Sequence, residues 1–200
     1  MKLLYAPASP FARKVRVTAH ELNLLPHMEL ISTAVLPTEH NQQVSQLNPL
    51  GKIPVLFTDD GQTLYDSRVI CAYLAEVAGN DSLYPRQAHW QHQTDIALAD
   101  GLLDAALSLR YERALRPQQH QWPAWIAGQQ RKIDAALQTL AASPALQQEQ
   151  LSAAQISIAC ALGYLDFRLP ELDWRSAHPA LATFQAAFGA RPSMRSSIPE

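Results

Sequence analysis

Ser9 and Pro10, at the head of the run ASPFARKVR, pair a residue type that caps helices with one that starts them. They stand where a short strand signal, KLLY at residues 2–5, gives way to helical spacing. A serine there supplies its oxygen to the first backbone N–H groups of the helix. Those groups and the helix dipole also favour an anion, so the hydroxyl is placed to donate to a thiolate and lower a thiol pKa by stabilising its charged form. Capping and thiolate stabilisation are compatible. No GxSxG elbow or SxxK pattern surrounds Ser9, which argues against a serine nucleophile.

Two further stretches carry chemistry. NPLGKIPVL, residues 48–56, sets two prolines and a glycine ahead of a strand. As a plain loop, each proline pushes its predecessor toward extended geometry. Trans is the usual state of an X–Pro bond, whereas a cis bond at Ile53-Pro54 would present the N–H and C=O of Ile53 to a peptide-like ligand, as an added strand is held. Gly51-Lys52 lacks the spacing of a phosphate loop. In Tyr65-Asp66-Ser67-Arg68, a strand meets a second helix, and Asp66 or Ser67 is a natural cap. The same terminus would bind a carboxylate through the N–H and hydroxyl of Ser67 while Asp66 pairs with an ammonium, together holding an amino-acid head group.

Other reactive residue types are less informative. His89 and His92 lie three apart with no third ligand at a metal-binding spacing, so they are expected on an exposed helix face and no metal is expected. His40, in the polar stretch before NPLGKIP, is either a solvated loop histidine or a partner for a carboxylate. Arg13 is expected on a solvated helix face. Trp122, Trp125 and Tyr111 are expected in packing. Cys71 and Cys160 are far apart without CxxC spacing, which argues against a disulfide framework, a zinc site or a thioredoxin-like redox pair and points to buried, reduced thiols.

The elements that must position these residues follow from periodicity. Strands are expected at 2–5, 27–32, 55–58 and 62–65, the last two flanking the hairpin signal DDG at 59–61. One helix runs from Pro10 to Leu22. Another begins at Asp66 and carries Val69, Ile70, Tyr73, Leu74 and Val77 on one face. The order β-α-β-x-β-β-α gives a small mixed sheet with helices on its faces. Residues 1–78 form this domain, the turn-rich 79–87 a linker, and 88–200 an all-helical domain. Within the latter, apolar spacing near 3.6 marks helices at 88–116, 122–142, 151–169 and 178–189. A 200-residue chain with 17% charged residues and net charge −2 is ordinary for a folded globular protein of one or two domains and shows no basic field for nucleic acid. No apolar run reaches membrane-spanning length and the N-terminal apolar stretch is too short for a signal core, so a cytoplasmic location is expected.

In order and spacing, ASPFARKVR, NPLGKIPVL and LYDSRVICAYL, followed by a linker and helices, resemble the cytosolic glutathione S-transferase superfamily, with the small bacterial members most similar. The likeness covers essentially the whole chain. It implies a thioredoxin-like N-terminal domain that binds glutathione as cosubstrate and a helical bundle that supplies most of a second-substrate pocket. Ser9 falls at the thiol-activating serine of the serine-type classes, and Ile53-Pro54 at the pair whose main chain binds the cysteinyl unit. Asp66 and Ser67 fall at the acid–serine pair that binds the γ-glutamyl group. His40 and Lys52 are candidate partners for the glycyl carboxylate or nearby polar groups. Phe11, Leu103, Leu107 and Tyr111 are the second-pocket candidates. Tyr5 competes with Ser9 as the thiol's hydroxyl, but it reads as strand. Two features depart from the pattern: Asp66 is shorter by a methylene than the usual glutamate, and the helical domain's capping signal reads Ser152-Ala153-Ala154-Gln155 where Asp is usual.

The resemblance implies a homodimer acting in detoxification by thiolate attack on a small electrophile or hydroperoxide. The rival reading is a non-catalytic module of the same fold that contacts a protein partner. Little disulfide reductase activity is expected, because Ser9 stands where thiol-dependent relatives carry cysteine.

Overall fold

The computed structural model describes all 200 residues. Residues Met1–Tyr84 with Arg191–Glu200 form one compact unit, and Pro85–Ala190 a second. The expected helical domain ran to residue 200, but its last ten residues pack in the first unit.

In the first unit, strands β1 (Lys2–Tyr5), β2 (Glu29–Ser32), β3 (Val55–Phe57) and β4 (Thr63–Leu64) form a sheet of order β2-β1-β3-β4. β1 pairs parallel with β2 and antiparallel with β3, and β3 pairs antiparallel with β4. Successive side chains on a strand point to opposite faces, and here both faces are covered. Leu3 and Leu56 face helices α1 (Pro10–Glu21) and α3 (Ser67–Val77) through Val15, Ala19, Ile70, Cys71 and Leu74. Leu4, Ile53 and Val55 face Val44 of the short α2 (Gln42–Leu47). The hairpin turn between β3 and β4 closes through Thr58 N–H to the Gln62 carbonyl at 3.0 Å, with Gly61 at φ +86° where a side chain would be strained.

Helix α3 differs from its expected face. Ile70, Cys71, Leu74 and Ala75 are buried, while Val69 and Val77 are about half exposed. The i, i+4 pairs 70/74 and 71/75 own the core stripe, and residue 69 lies a turn's fraction outside it.

Arg13 also departs from expectation. It is 6% exposed and donates to the Met194 carbonyl at 3.1 Å and to Ser197 Oγ at 3.4 Å. Both acceptors follow or belong to α9 (Pro192–Arg195), whose position the local periodicity of α1 could not reveal. Arg191 adds a two-pronged contact to Glu21 at 2.8 and 2.6 Å, joined by the Ser193 hydroxyl.

The second unit is built on α4 (His89–Ala114), α5 (Pro123–Leu140), α6 (Ala153–Arg168), α7 (Trp174–Ala177) and α8 (Pro179–Gly189). Helix α4 packs against both α5 and α6. Nearly every residue of α6 from Ala153 to Leu165 is buried, as befits a helix that is apolar all round. Ser152 and Gln155 start it with a full capping box: Ser152 N–H donates to Gln155 Oε1 at 2.9 Å and Gln155 N–H to Ser152 Oγ at 3.4 Å. Ser152→Ala is expected to lower stability by about 1–2 kcal/mol, read as a fall in the urea midpoint at unchanged slope.

Two smaller expectations are corrected here. Trp122 and Trp125 are 63% and 44% exposed, because both precede or open α5 at the end of a proline-bounded turn, away from its buried stripe. His92 is buried, since it lies on the α4 face that also carries Asp95, Ile96 and Ala99. Cys71 and Cys160 are buried and form no disulfide, as expected.

Candidate functional site

Strand register gathers the chemistry of the first unit at one end of its sheet. β1 ends at Tyr5, and the chain then runs to Ser9 at the start of α1. Because β3 is antiparallel to β1, with Val55 opposite Leu4, Ile53 and Pro54 enter at that same end. β4 runs back with Leu64 opposite Leu56, so Asp66 and Ser67 leave there too. β2, parallel to β1, places Ser32 opposite Tyr5 and delivers the 33–41 segment to the same edge.

Ser9 caps α1. Its Oγ accepts from Ala12 N–H at 3.2 Å, and its backbone is extended (φ −80°, ψ 119°) as a cap requires. The hydroxyl proton is not used by this bond, so the group retains one donor at the positive end of a 12-residue helix with no acidic residue in its first turn. Tyr5 lies in β1, its ring 5.1 Å from the Arg16 guanidinium carbon.

The NPLGKIP loop is held from within. Asn48, 3% exposed, donates through Nδ2 to the Lys52 carbonyl at 2.9 Å and accepts from Leu50 N–H at 3.1 Å. Gly51 takes φ +62°, and its N–H bonds to the Asn48 carbonyl at 2.8 Å. The Ile53-Pro54 bond is cis. The Ile53 backbone N–H and C=O lie outside the ladder and find no partner in the turns.

Asp66 caps α3, its Oδ1 accepting from Arg68 N–H at 2.9 Å and its Oδ2 from Arg68 Nη2 at 3.0 Å. Burial pushes the Asp66 carboxyl up, but the Arg68 side-chain and backbone hydrogen bonds outweigh it and hold it below the usual carboxylate range. The Tyr65-Asp66 bond is also cis. Ser67, the first residue of α3, is 2% exposed overall and its hydroxyl bonds to no protein group. His40 is exposed and lines a surface depression with Ala34, Leu36 and Asn41. Asn41 anchors that segment by capping α2 at 3.1 Å and donating to the Ala34 carbonyl at 2.9 Å. Lys52 is exposed.

The remaining candidates divide between the units. Phe11 is half-buried on α1, with Lys14 Nζ 6.0 Å from its ring centre. On α4, Leu103 is sealed from solvent, while Leu107 and Tyr111 are half-buried. No group of three or more His, Cys, Asp or Glu side chains is arranged to hold a metal ion, and no helix is long and apolar enough to cross a membrane. Sequence reasoning missed Arg110, Tyr164 and Arg168, which the packing of α4 against α6 brings beside Tyr111. The run RYER and the terminal FR of α6 were the only signals.

A four-stranded mixed sheet flanked by helices, with a helical second unit, is the architecture of a thioredoxin-like domain followed by a helical domain, and comparison with known proteins agrees. The "Glutathione S-transferase, N-terminal domain" family matches residues 8–77 and the "Glutathione S-transferase, C-terminal domain" family residues 123–184. The GST-like protein YibF of Escherichia coli, itself uncharacterized, is 33% identical over 204 residues, covering 100% of this chain and 98% of that one. A glutathione transferase family member from Pseudomonas fluorescens Pf-5, solved with bound glutathione, is 44% identical with TM-score 0.94, over 100% of this chain and 98% of that one. A structure of a Pf-5 family member with bound S-(propanoic acid)-glutathione is 44% identical with TM-score 0.90, over 100% and 99%. This chain belongs to the glutathione S-transferase family.

Proposed function

We propose that this protein binds glutathione at the sheet end described above and stabilises its thiolate for attack on a small electrophile or hydroperoxide. The observation that carries this reading is the set of unspent polar groups at that edge: the Ser9 hydroxyl proton, the Ile53 main chain and the Ser67 hydroxyl. Ser67 and the α3 N–H groups would take the γ-glutamyl carboxylate, Asp66 the ammonium, and Ile53 the cysteinyl amide. That brings the sulfur toward Ser9. His40 and Lys52, both exposed, are left for the glycyl carboxylate. Each Asp66 oxygen accepts one hydrogen bond from Arg68 and keeps a further lone pair for the ammonium. The glutathione complexes of the Pseudomonas relatives support the ligand, and the S-(propanoic acid) conjugate supports a thioether product.

Leu107 and Tyr111 with the neighbouring Leu103, all on α4, are proposed for the second substrate, and the reading extends to a cytoplasmic homodimer acting in detoxification. No resident metal or cofactor is needed for this chemistry. The protein's contribution is preorganised charge stabilisation at sulfur.

Calorimetric titration with glutathione tests the reading. Saturable binding is expected, and Ser67→Ala is expected to weaken it by about 10- to 100-fold, the worth of a hydrogen bond to a charged group. No heat and no thermal shift at millimolar glutathione would leave the partner-binding module as the function.

A further inference from the structure

The arginines of the second unit are not alike. Arg113 pairs with Glu171 at 2.6 Å, Arg116 with Glu112 at 2.8 Å, and Arg175 with Asp166. Arg110 on α4 and Arg168 at the end of α6 pair with no carboxylate, although they lie close enough to repel one another. Arg168 is also partly withdrawn from water. Its Nε is buried without a hydrogen-bond partner, and its guanidinium carbon stands 3.8 Å from the centre of the Phe167 ring.

Two tyrosines complete the cluster. Tyr111 follows Arg110 on α4, and the charged groups that act on it are Arg110 and Arg168, with no acid among them. Tyr164 lies one turn before Arg168, within hydrogen-bonding reach of its guanidinium, and is 3% exposed. Burial pushes the Tyr164 phenol up to about 12, so it stays protonated and can donate. Burial and the Arg110 charge together lower the Arg168 guanidinium from its ordinary value, the signature of a cation that lacks its counter-ion.

Two cations that repel one another, one of them partly desolvated, oppose folding unless an anion joins them. We propose that Arg110 and Arg168, with the hydroxyls of Tyr111 and Tyr164, form a binding site in the helical unit for the carboxylate of a small organic acid with an apolar body. A planar carboxylate suits the guanidinium fork. The half-buried Leu107, Tyr111 and Phe167 side chains give the apolar body contact and disfavour a small, strongly hydrated dianion. Because Tyr111 is also a second-substrate candidate, the site selects electrophiles that carry a carboxylate. That consequence rests on the proposed function, whereas the site itself does not.

The test uses the full chain without glutathione, so its outcome is separate from that of glutathione binding. Calorimetric titration with 3-phenylpropanoate, 3-phenylpropanamide and inorganic phosphate is expected to show the acid binding at least ten times more tightly than either. Arg110→Gln and Arg168→Gln are each expected to lose that preference, with Arg168→Lys retaining part of it. Arg168→Gln is further expected to melt no lower than the parent, because it relieves repulsion. Equal binding of acid and amide, phosphate binding as tightly as the acid, no binding at all, or a preference that survives both glutamine variants would each overturn the assignment.

Discussion

Ser9→Ala is expected to lower kcat/KM for glutathione attack on an aryl halide by about 10²–10³, the usual worth of one preorganised donor to a developing or full anion, while glutathione affinity changes little. The bound thiol, followed by ultraviolet thiolate absorbance against pH, is expected to titrate higher in the variant than in the parent. The difficulty is that Ser9 has two jobs on one oxygen. Its lone pair accepts from Ala12 N–H at 3.2 Å, and its proton is left for sulfur. Alanine removes both, and loss of a cap alone costs about 1 kcal/mol. Two further variants separate them. Ser9→Thr keeps cap and donor and is expected to keep most activity. Ser9→Asp keeps the cap and favours the helix dipole, so it should fold as well as the parent, yet its charge opposes a thiolate and should abolish turnover. Full activity in Ser9→Asp would return Ser9 to a purely structural role.

The junctions were legible because local rules write them. Ser9-Pro10 and Asp66-Ser67 announce helix starts through residue types that satisfy orphan N–H groups, and the capping box at Ser152 and Gln155 is complete in the structure. The order of strands was legible from alternation and from the DDG turn. What could not be read is what depends on distant packing. Arg13 looks like any basic residue on an amphipathic helix until Met194 and Ser197 come to meet it, 181 and 184 residues later. Trp122 and Trp125 carry the composition of a core, but their place beside the Pro117–Pro123 turn leaves them in solvent. Arg110 and Arg168 belong to helices whose own patterns are unremarkable, and only the crossing of α4 and α6 makes them neighbours. The cis state of Ile53-Pro54 was only an open alternative in the sequence, because trans is the usual state of an X–Pro bond and the same dipeptide reads as an ordinary loop.

Truncation after Ala190 is expected to destabilise the first unit by about 3–5 kcal/mol, from the loss of a buried methionine and of two hydrogen bonds made by a buried guanidinium. The removed segment holds Ser193, Met194 and Ser197, each at most 2% exposed. Its loss leaves Arg13 without either acceptor and Glu21 without Arg191 or Ser193. For a chain of this size the change corresponds to a melting shift of roughly 6–20 °C, and calorimetry is the measurement of choice. All four tryptophans, at 90, 122, 125 and 174, lie in the second unit, so their fluorescence would report the wrong transition. The clamp also has a pH signature. The Arg191 hydrogen bond, aided by Ser193 and by the charges of Arg191 and His20 against the opposing effect of burial, holds the Glu21 carboxyl below its ordinary value of 4.5. A carboxyl depressed on folding contributes fully above that ordinary value and loses its contribution as pH falls through the lowered one. The gap in stability between the parent and Glu21→Gln is therefore expected to be widest near neutrality and to close on acidification below about pH 4.5. A gap that stays constant down to pH 2 would mean that the charge of Glu21 contributes nothing and that the tail is held by Arg13 and Met194 alone.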